Sequence, residues 1–262
     1  MSEQINLKNE EQIKKMMRAG NVVAKCHTAL KATNLVGMSA LEVDMFVNDI
    51  IEANGGKSII KDYDGFPGYN CISINDCVVH GIPDNTILKE GDIVGIDISV
   101  ILDGYVADSC WSYPVGEIND KDKYLLDHTE KALFKGLSCI KAGEKIGTLG
   151  YTIEKYAKRH GLGVVKELAG HGVGTELHED PMVPNYGKKN RGTVMEAGLT
   201  IAVEPMLNFG TPKIFIEDDD WSIMTLDGEN SAHFEHTIVV TESGYEIITI
   251  ERTEQEIENF KF

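Results

Sequence analysis

The sequence predicts an α+β protein in which two related halves, each a pair of helices followed by strands, close around one site. Three observations predict this. Segments of helical and strand periodicity follow the order helix, helix, strands, then helix, helix, strands. The second helix of each half is introduced by a similar phrase, LVGMSALEVD at 35–44 and IKAGEKIGTLGYTIE at 140–154. Five residues with metal-binding chemistry (Asp97, Asp108, His171, Glu204 and Glu235) are spread over more than half the chain, each in a segment that reads as a strand or strand end. No low-complexity tract or linker interrupts the pattern, so the expectation is a single domain over residues 1–262.

The elements follow in order. Residues 7–33 place Ile13, Met16, Met17, Val22, Val23, Cys26 and Leu30 at helical spacing. A second helix begins at Ser39, because Ser39 and Glu42 have the capping-box form that satisfies free N–H groups at a helix start, and it ends near Asn54-Gly55-Gly56. Residues 71–76 and 91–100 read as strands, and 105–115 pairs back on the latter through Leu102-Asp103-Gly104 as a hairpin. Two helices over 120–140 and 148–160 come next. Strands return at 166–174, 199–207, 222–226 and 233–250. The run Glu217-Asp218-Asp219-Asp220 reads as a solvated turn.

Bulk properties bound the function. A net charge of −17 argues against nucleic acid as a primary partner, since phosphate binding relies on clustered Lys and Arg. No apolar run approaches the roughly 20 residues that span a bilayer, and the polar start MSEQINLKNEEQIKK carries no secretory signal. Five cysteines without a CxxC pair fit neither a disulfide framework nor a zinc knuckle, so a reducing cytoplasm is the expected location.

The site chemistry begins with repulsion. Four carboxylates gathered without a counter-charge would force at least one to take up a proton. Two divalent cations remove that difficulty and form a known device for activating water. Across a hairpin with an even-length loop, Asp97 and Asp108 share one face, opposite or diagonal. Asp97 lies inside the apolar run Ile93, Val94, Ile96, Ile98, where an unpaired charge is costly. Glycines flank His171 and allow close backbone approach. Glu204 and Glu235 interrupt strand-like runs, and no Lys or Arg stands within four residues of either, which favours metal over salt bridge.

The motifs around these residues are CISINDCVVHGIP (71–83), GDIVGIDISVILDGYVADS (91–109), GHGVGTELHEDP (170–181), TIAVEPM (200–206) and FEHTIVVT (234–241). In order and spacing the chain resembles the methionine aminopeptidases of the short, bacterial-type class, in peptidase family M24. The resemblance implies the pita-bread fold, two pseudo-symmetric halves around a dinuclear centre. It implies Asp97 as a terminal ligand, Asp108 and Glu235 as bridges, and His171 and Glu204 on the other ion, with Glu204 also as the proton acceptor. His80 would contact the substrate near its N-terminus, and His178 would hydrogen-bond the scissile amide. Tyr63, Phe66, Cys71, Leu177 and Trp221 match positions that line the methionine pocket, and a monovalent cation (Na⁺ or K⁺) is expected near Asn75, Cys77 and Ser231.

The implied reaction removes N-terminal methionine from deformylated nascent chains with a small second residue, by a monomer working near the ribosome without binding nucleic acid or membrane. Co²⁺, Mn²⁺, Fe²⁺ and Zn²⁺ all accept these ligand types. A related aminopeptidase of X-Pro type with the same fold and a non-catalytic partner-binding relative are the alternatives. Leu177, Ile60, Leu168 and His233 depart from the commonest family residues, and His233 stands where it could tune protonation beside Glu235.

Overall fold

A computed structural model describes residues 4–261 of the chain. Helices α1 (Glu10–Ala32) and α2 (Ala40–Ala53) open the first half. Short strands β1 (Lys57–Ser58), β2 (Cys71–Ile74) and β3 (Cys77–Val79) lead to the long hairpin of β4 (Ile93–Leu102) and β5 (Tyr105–Pro114). Helices α3 (Asp120–Leu137) and α4 (Ile146–Arg159) open the second half. They are followed by β6 (Gly163–Val164), β7 (Ala169–Gly172), β8 (Glu179–Pro184), β9 (Thr200–Val203) and β10 (Met206–Asn208). Then come β11 (Ile214–Ile216), β12 (Ile223–Thr225), β13 (Ser231–His233), β14 (His236–Val240), β15 (Tyr245–Ile247) and a short α5 (Glu254–Glu258).

The expected α+β alternation is present, with local corrections. The first helix starts three residues later than its apolar spacing suggests, because the Asn9 side chain accepts from the Gln12 N–H and Gln12 reciprocates. The predicted strand 71–76 stops at Ile74: Asn75 takes a positive φ of 55° and turns the chain into β3. The stretch 166–174 is strand only over Ala169–Gly172, and Glu179–Pro184, for which no strand was expected, is strand β8. The Ser39–Glu42 capping box of α2 is formed as expected.

Two main sheets carry the halves. In the first, β4 pairs with β5 on one edge and with β1 and β2 on the other. The second runs β15-β14-β9-β7-β8, and two three-stranded sheets, β13-β10-β6 and β11-β12-β3, join them. Each half buries its own core. Ile96, Ile98 and Val100 of β4 pack with Ile13, Met17 and Val47 of the first helix pair, while Leu133, Leu149 and Ile153 pack with Ile201 and Ile238 in the second.

The two halves repeat each other bond for bond where helix meets sheet. Gly37 N–H donates to Leu88 C=O and Gly143 N–H to Met195 C=O, both at 2.9 Å. Leu88 and Met195 donate back to Met38 and Glu144, both at 2.8 Å. Gly37 and Gly143 hold φ of 88° and 86°, a region open to glycine at little cost. Gly91 and Gly198 match as well, with φ of 98° and 89°, donating to the carbonyls of Val115, just past β5, and Val240, at the end of β14. Counting forward from these glycines, Asp97 in β4 and Glu204 after β9 occupy equivalent positions.

Candidate metal centre and substrate pocket

Strand geometry places the first carboxylates. The turn Asp103-Gly104 has positive φ at both residues, 51° and 77°, which suits the right-handed twist of a two-residue hairpin. It sets a register with Asp97 opposite Cys110 and Ser99 opposite Asp108. Asp97 and Asp108 are therefore diagonal on one face, while Ile96, Ile98 and Val100 point the other way into the core. On that face the Ser99 hydroxyl donates to Asp108 Oδ1 at 2.6 Å.

The glutamates stand where the chain changes sheets. Glu204 lies between β9 and β10, and Glu235 lies between β13 and β14. Pro205 has no N–H to continue a ladder, which helps end β9 there. Glu235 N–H donates instead to Cys110 C=O at 2.8 Å and fastens the second half onto β5. His171 sits at the irregularity in the β7–β8 pairing between Gly170 and Gly172. Its Nδ1 is 2.9 Å from Gly172 C=O, so that nitrogen is the donor and Nε2 carries the free lone pair. Nε2 lies 3.5 Å from Glu204 Oε1 and 3.8 Å from Asp108 Oδ2.

Electrostatics favour a bound cation. Burial raises the Asp97, Glu204 and Glu235 carboxyls well above their ordinary range, and the Asp108 charge pushes each further. Burial raises Asp108 too, offset partly by the Ser99 hydrogen bond. Among the described residues no Lys or Arg is paired with any of the four. Asp97 Oδ1, Glu235 Oε1 and His233 Nε2 are buried without a hydrogen-bond partner. One donor atom each from Asp108, His171 and Glu235 all lie within 4.8 Å of one another. Hard carboxylates, an imidazole and uncompensated negative charge fit a divalent cation.

A cavity of about 260 Å³ adjoins these groups. It is lined by all five candidate ligands and by His80, His178, Tyr63, Phe66, Cys71, Leu177 and Trp221. Phe66 and Trp221 meet edge to face at 5.2 Å, closing one apolar wall. Burial lowers His80, His171 and His178, and the proximity of His171 lowers His178 further. His80 holds a positive φ of 58°, an uncommon backbone state for a non-glycine residue.

Ile60, Leu168 and His233 line the cavity too. So do Ser99, Val79, Ala169 and Met206, which sequence reasoning missed. Strand alternation could have found two of them, since Ser99 and Met206 each follow a candidate ligand, Asp97 or Glu204, by two positions. Away from the cavity, Ser231 N–H donates to the Asn75 carbonyl at 2.9 Å, and Cys77 begins the adjacent β3.

The family model described as metallopeptidase family M24 matches residues 14–242. The chain is 44% identical to methionine aminopeptidase 1 of Bacillus subtilis over 89% of its own length and 94% of the relative's. It is 41% identical to the methionine aminopeptidase of Mycoplasma capricolum, covering 94% and 98% of the two chains. The solved methionine aminopeptidase of Thermotoga maritima superposes with a TM-score of 0.93 at 38% identity, covering 95% of this chain and all of that one. The prolidase of Pyrococcus furiosus aligns with a TM-score of 0.74 at 21% identity and shares the fold.

Proposed function

The chain belongs to metallopeptidase family M24, among its methionine aminopeptidases, and we propose that it works through two divalent cations held by Asp97, Asp108, His171, Glu204 and Glu235. The single observation that supports the cation pair most directly is the set of four carboxylates, Asp108 and Glu235 buried and Asp97 and Glu204 partly buried, with no Lys or Arg paired with them among the described residues. Those five side chains would hold the cations through carboxylate oxygens and the free Nε2 of His171. When bound, the cations would lower the pKa of water and polarise the carbonyl of the scissile bond.

The protein supplies the rest. Glu204 takes a proton from the attacking water and returns one to the leaving amine. His178 donates from Nε2 to the scissile carbonyl oxygen as negative charge develops there. The Tyr63 hydroxyl is 2.9 Å from His178 Nδ1, and in this reading it donates there and leaves the proton on Nε2. His80 contacts the start of the substrate from its own strained turn. The pocket formed by Phe66, Trp221, Leu177, Cys71 and Tyr63 receives the first side chain, and thiol and aromatic groups suit a thioether.

In this reading the substrates are free amino termini of deformylated nascent chains with a small second residue, in the cytoplasm. Among the described residues no helix is long and apolar enough to cross a membrane. The purified protein with Co²⁺ or Mn²⁺ is expected to cleave Met-Ala-Ser but not Met-Lys-Ser or formyl-Met-Ala-Ser. Release of methionine is measured by chromatography, and no release from Met-Ala-Ser under any divalent metal refutes the reading.

A further inference from the structure

We propose that His233 is the positioning residue for the two glutamates of the site, donating from Nε2–H to the facing oxygens of Glu204 and Glu235. The proposal rests on the dinuclear reading above and assigns a role to a residue outside the ligand set. His233 is 3% exposed, and its Nε2 is buried without a hydrogen-bond partner. That nitrogen is 3.7 Å from Glu204 Oε2 and 3.9 Å from Glu235 Oε2, beyond hydrogen-bond length but within reach of a small side-chain rotation.

The role follows from what the two glutamates lack. Carboxylates that bind metals are themselves held by hydrogen bonds, which fix their orientation. Asp108 has such a donor in the Ser99 hydroxyl. The position equivalent to Ser99 in the second half is Met206, counted from Gly91 and Gly198, and a thioether has no proton to donate. His171 directs Nε2 toward the same carboxylates, but it offers a lone pair to the ion and its only proton is on Nδ1, aimed at Gly172 C=O. His233 Nε2 is then the donor that remains within 4 Å of both glutamates among the described residues.

The pseudo-symmetry supports this placement independently. Asp108 pairs with Ser99 across its hairpin, and His233 pairs with Met206 across the corresponding pair of strands. The position that supplies a ligand in one half thus supplies His233 in the other, already aimed at the centre. A positioning role also explains how a buried nitrogen without a partner is tolerated: its partners turn toward it only when cations draw the carboxylates into place.

The test is titration of the metal-stripped protein with Co²⁺ by calorimetry, for wild type, His233→Gln and His233→Leu, with the Tm of each metal-stripped form. Wild type is expected to bind two ions. His233→Gln keeps an N–H donor and is expected to bind Co²⁺ close to wild type. His233→Leu is expected to bind about 10- to 100-fold more weakly, with a metal-free Tm equal to or above wild type, since leucine leaves no buried nitrogen unpartnered. Wild-type affinity in His233→Leu overturns the proposal. A lowered metal-free Tm in His233→Leu also overturns it, in favour of a structural role. Equal losses in the Gln and Leu variants overturn it in favour of direct ligation by the imidazole. Fewer than two Co²⁺ ions on the wild type overturns the dinuclear reading itself, and the proposal with it.

Discussion

The Tyr63 hydroxyl lies 2.9 Å from Nδ1 of His178, and as donor there it leaves the imidazole proton on Nε2. Burial keeps His178 neutral more readily than an exposed histidine, so its single proton must be steered. His178→Ala is expected to lower kcat by about 10²–10³, the range for loss of one donor to a developing oxyanion. Tyr63→Phe removes only the steering and is expected to lower kcat by about tenfold, with a smaller change in KM. Steady-state kinetics on Met-Ala-Ser checks both, and a Tyr63→Phe enzyme with unchanged kcat dismisses the tautomer argument.

Removing cations exposes the repulsion among the carboxylates. Their folded-state pKa values lie above the ordinary values, so the metal-free folded protein keeps protons that the unfolded chain releases. The contribution of these carboxyls to the stability of the metal-free protein therefore falls as pH rises above about 4, the ordinary carboxylate range. Asp97→Asn deletes one of these charges. It is expected to raise the metal-free Tm at neutral pH while sharply weakening the Tm increase that Co²⁺ gives the wild type. Thermal scans with chelator and with Co²⁺ decide, and a lower metal-free Tm in Asp97→Asn contradicts the account.

His27 carries a separate pH dependence, remote from the ligands in sequence but tied to their strand. Its Nε2 donates to Ser109 C=O at 3.1 Å and its Nδ1 accepts from the Tyr113 hydroxyl at 2.7 Å, joining α1 to β5. Burial pushes its pKa down to about 3 from 6.5. The unfolded chain takes up this proton first, so the contribution is present above pH 6.5 and lost as pH falls toward 3. His27→Gln keeps a donor and an acceptor without titrating. Its loss of stability between pH 7 and pH 5 is expected to be smaller than wild type's by about 2 kcal/mol, measured by urea unfolding. An unchanged difference rules out His27 as a source.

Gly81 follows the strained His80 and packs directly on backbone. A Cβ there would overlap the Ile72 carbonyl, while Gly81 C=O accepts from Ile72 N–H at 2.9 Å. Gly81→Ala is expected to cost about 1–3 kcal/mol by overpacking and to lower turnover by shifting His80. Chemical denaturation and kinetics on the same preparation test it, and wild-type values in both refute the close-packing argument.

Much of this was legible along the chain because its signals are local. Asp97 inside an apolar strand, the two-residue turn at Asp103-Gly104 and the Ser39–Glu42 cap each depend on neighbours within a dozen residues. That Asp97 and Asp108 share a face followed from side-chain alternation and an even loop; the register shows them diagonal on it. The boundaries that differed depend on groups a periodicity cannot weigh. Asn9 rather than Leu7 starts α1 because a side-chain oxygen caps it, and β2 ends at Ile74 because Asn75 turns into β3.

By itself the sequence determined the fold class, the family and the residues with chemistry to offer, since each is written in residue type and short-range pattern. Only the tertiary structure decided how they meet. It set Glu204 and Glu235 at two sheet crossings, paired Asp108 with Ser99 but left the glutamates facing His233, and brought Tyr63 to His178 across 115 positions. Those relations arise from folding one half onto the other, where distance along the chain no longer measures distance in space.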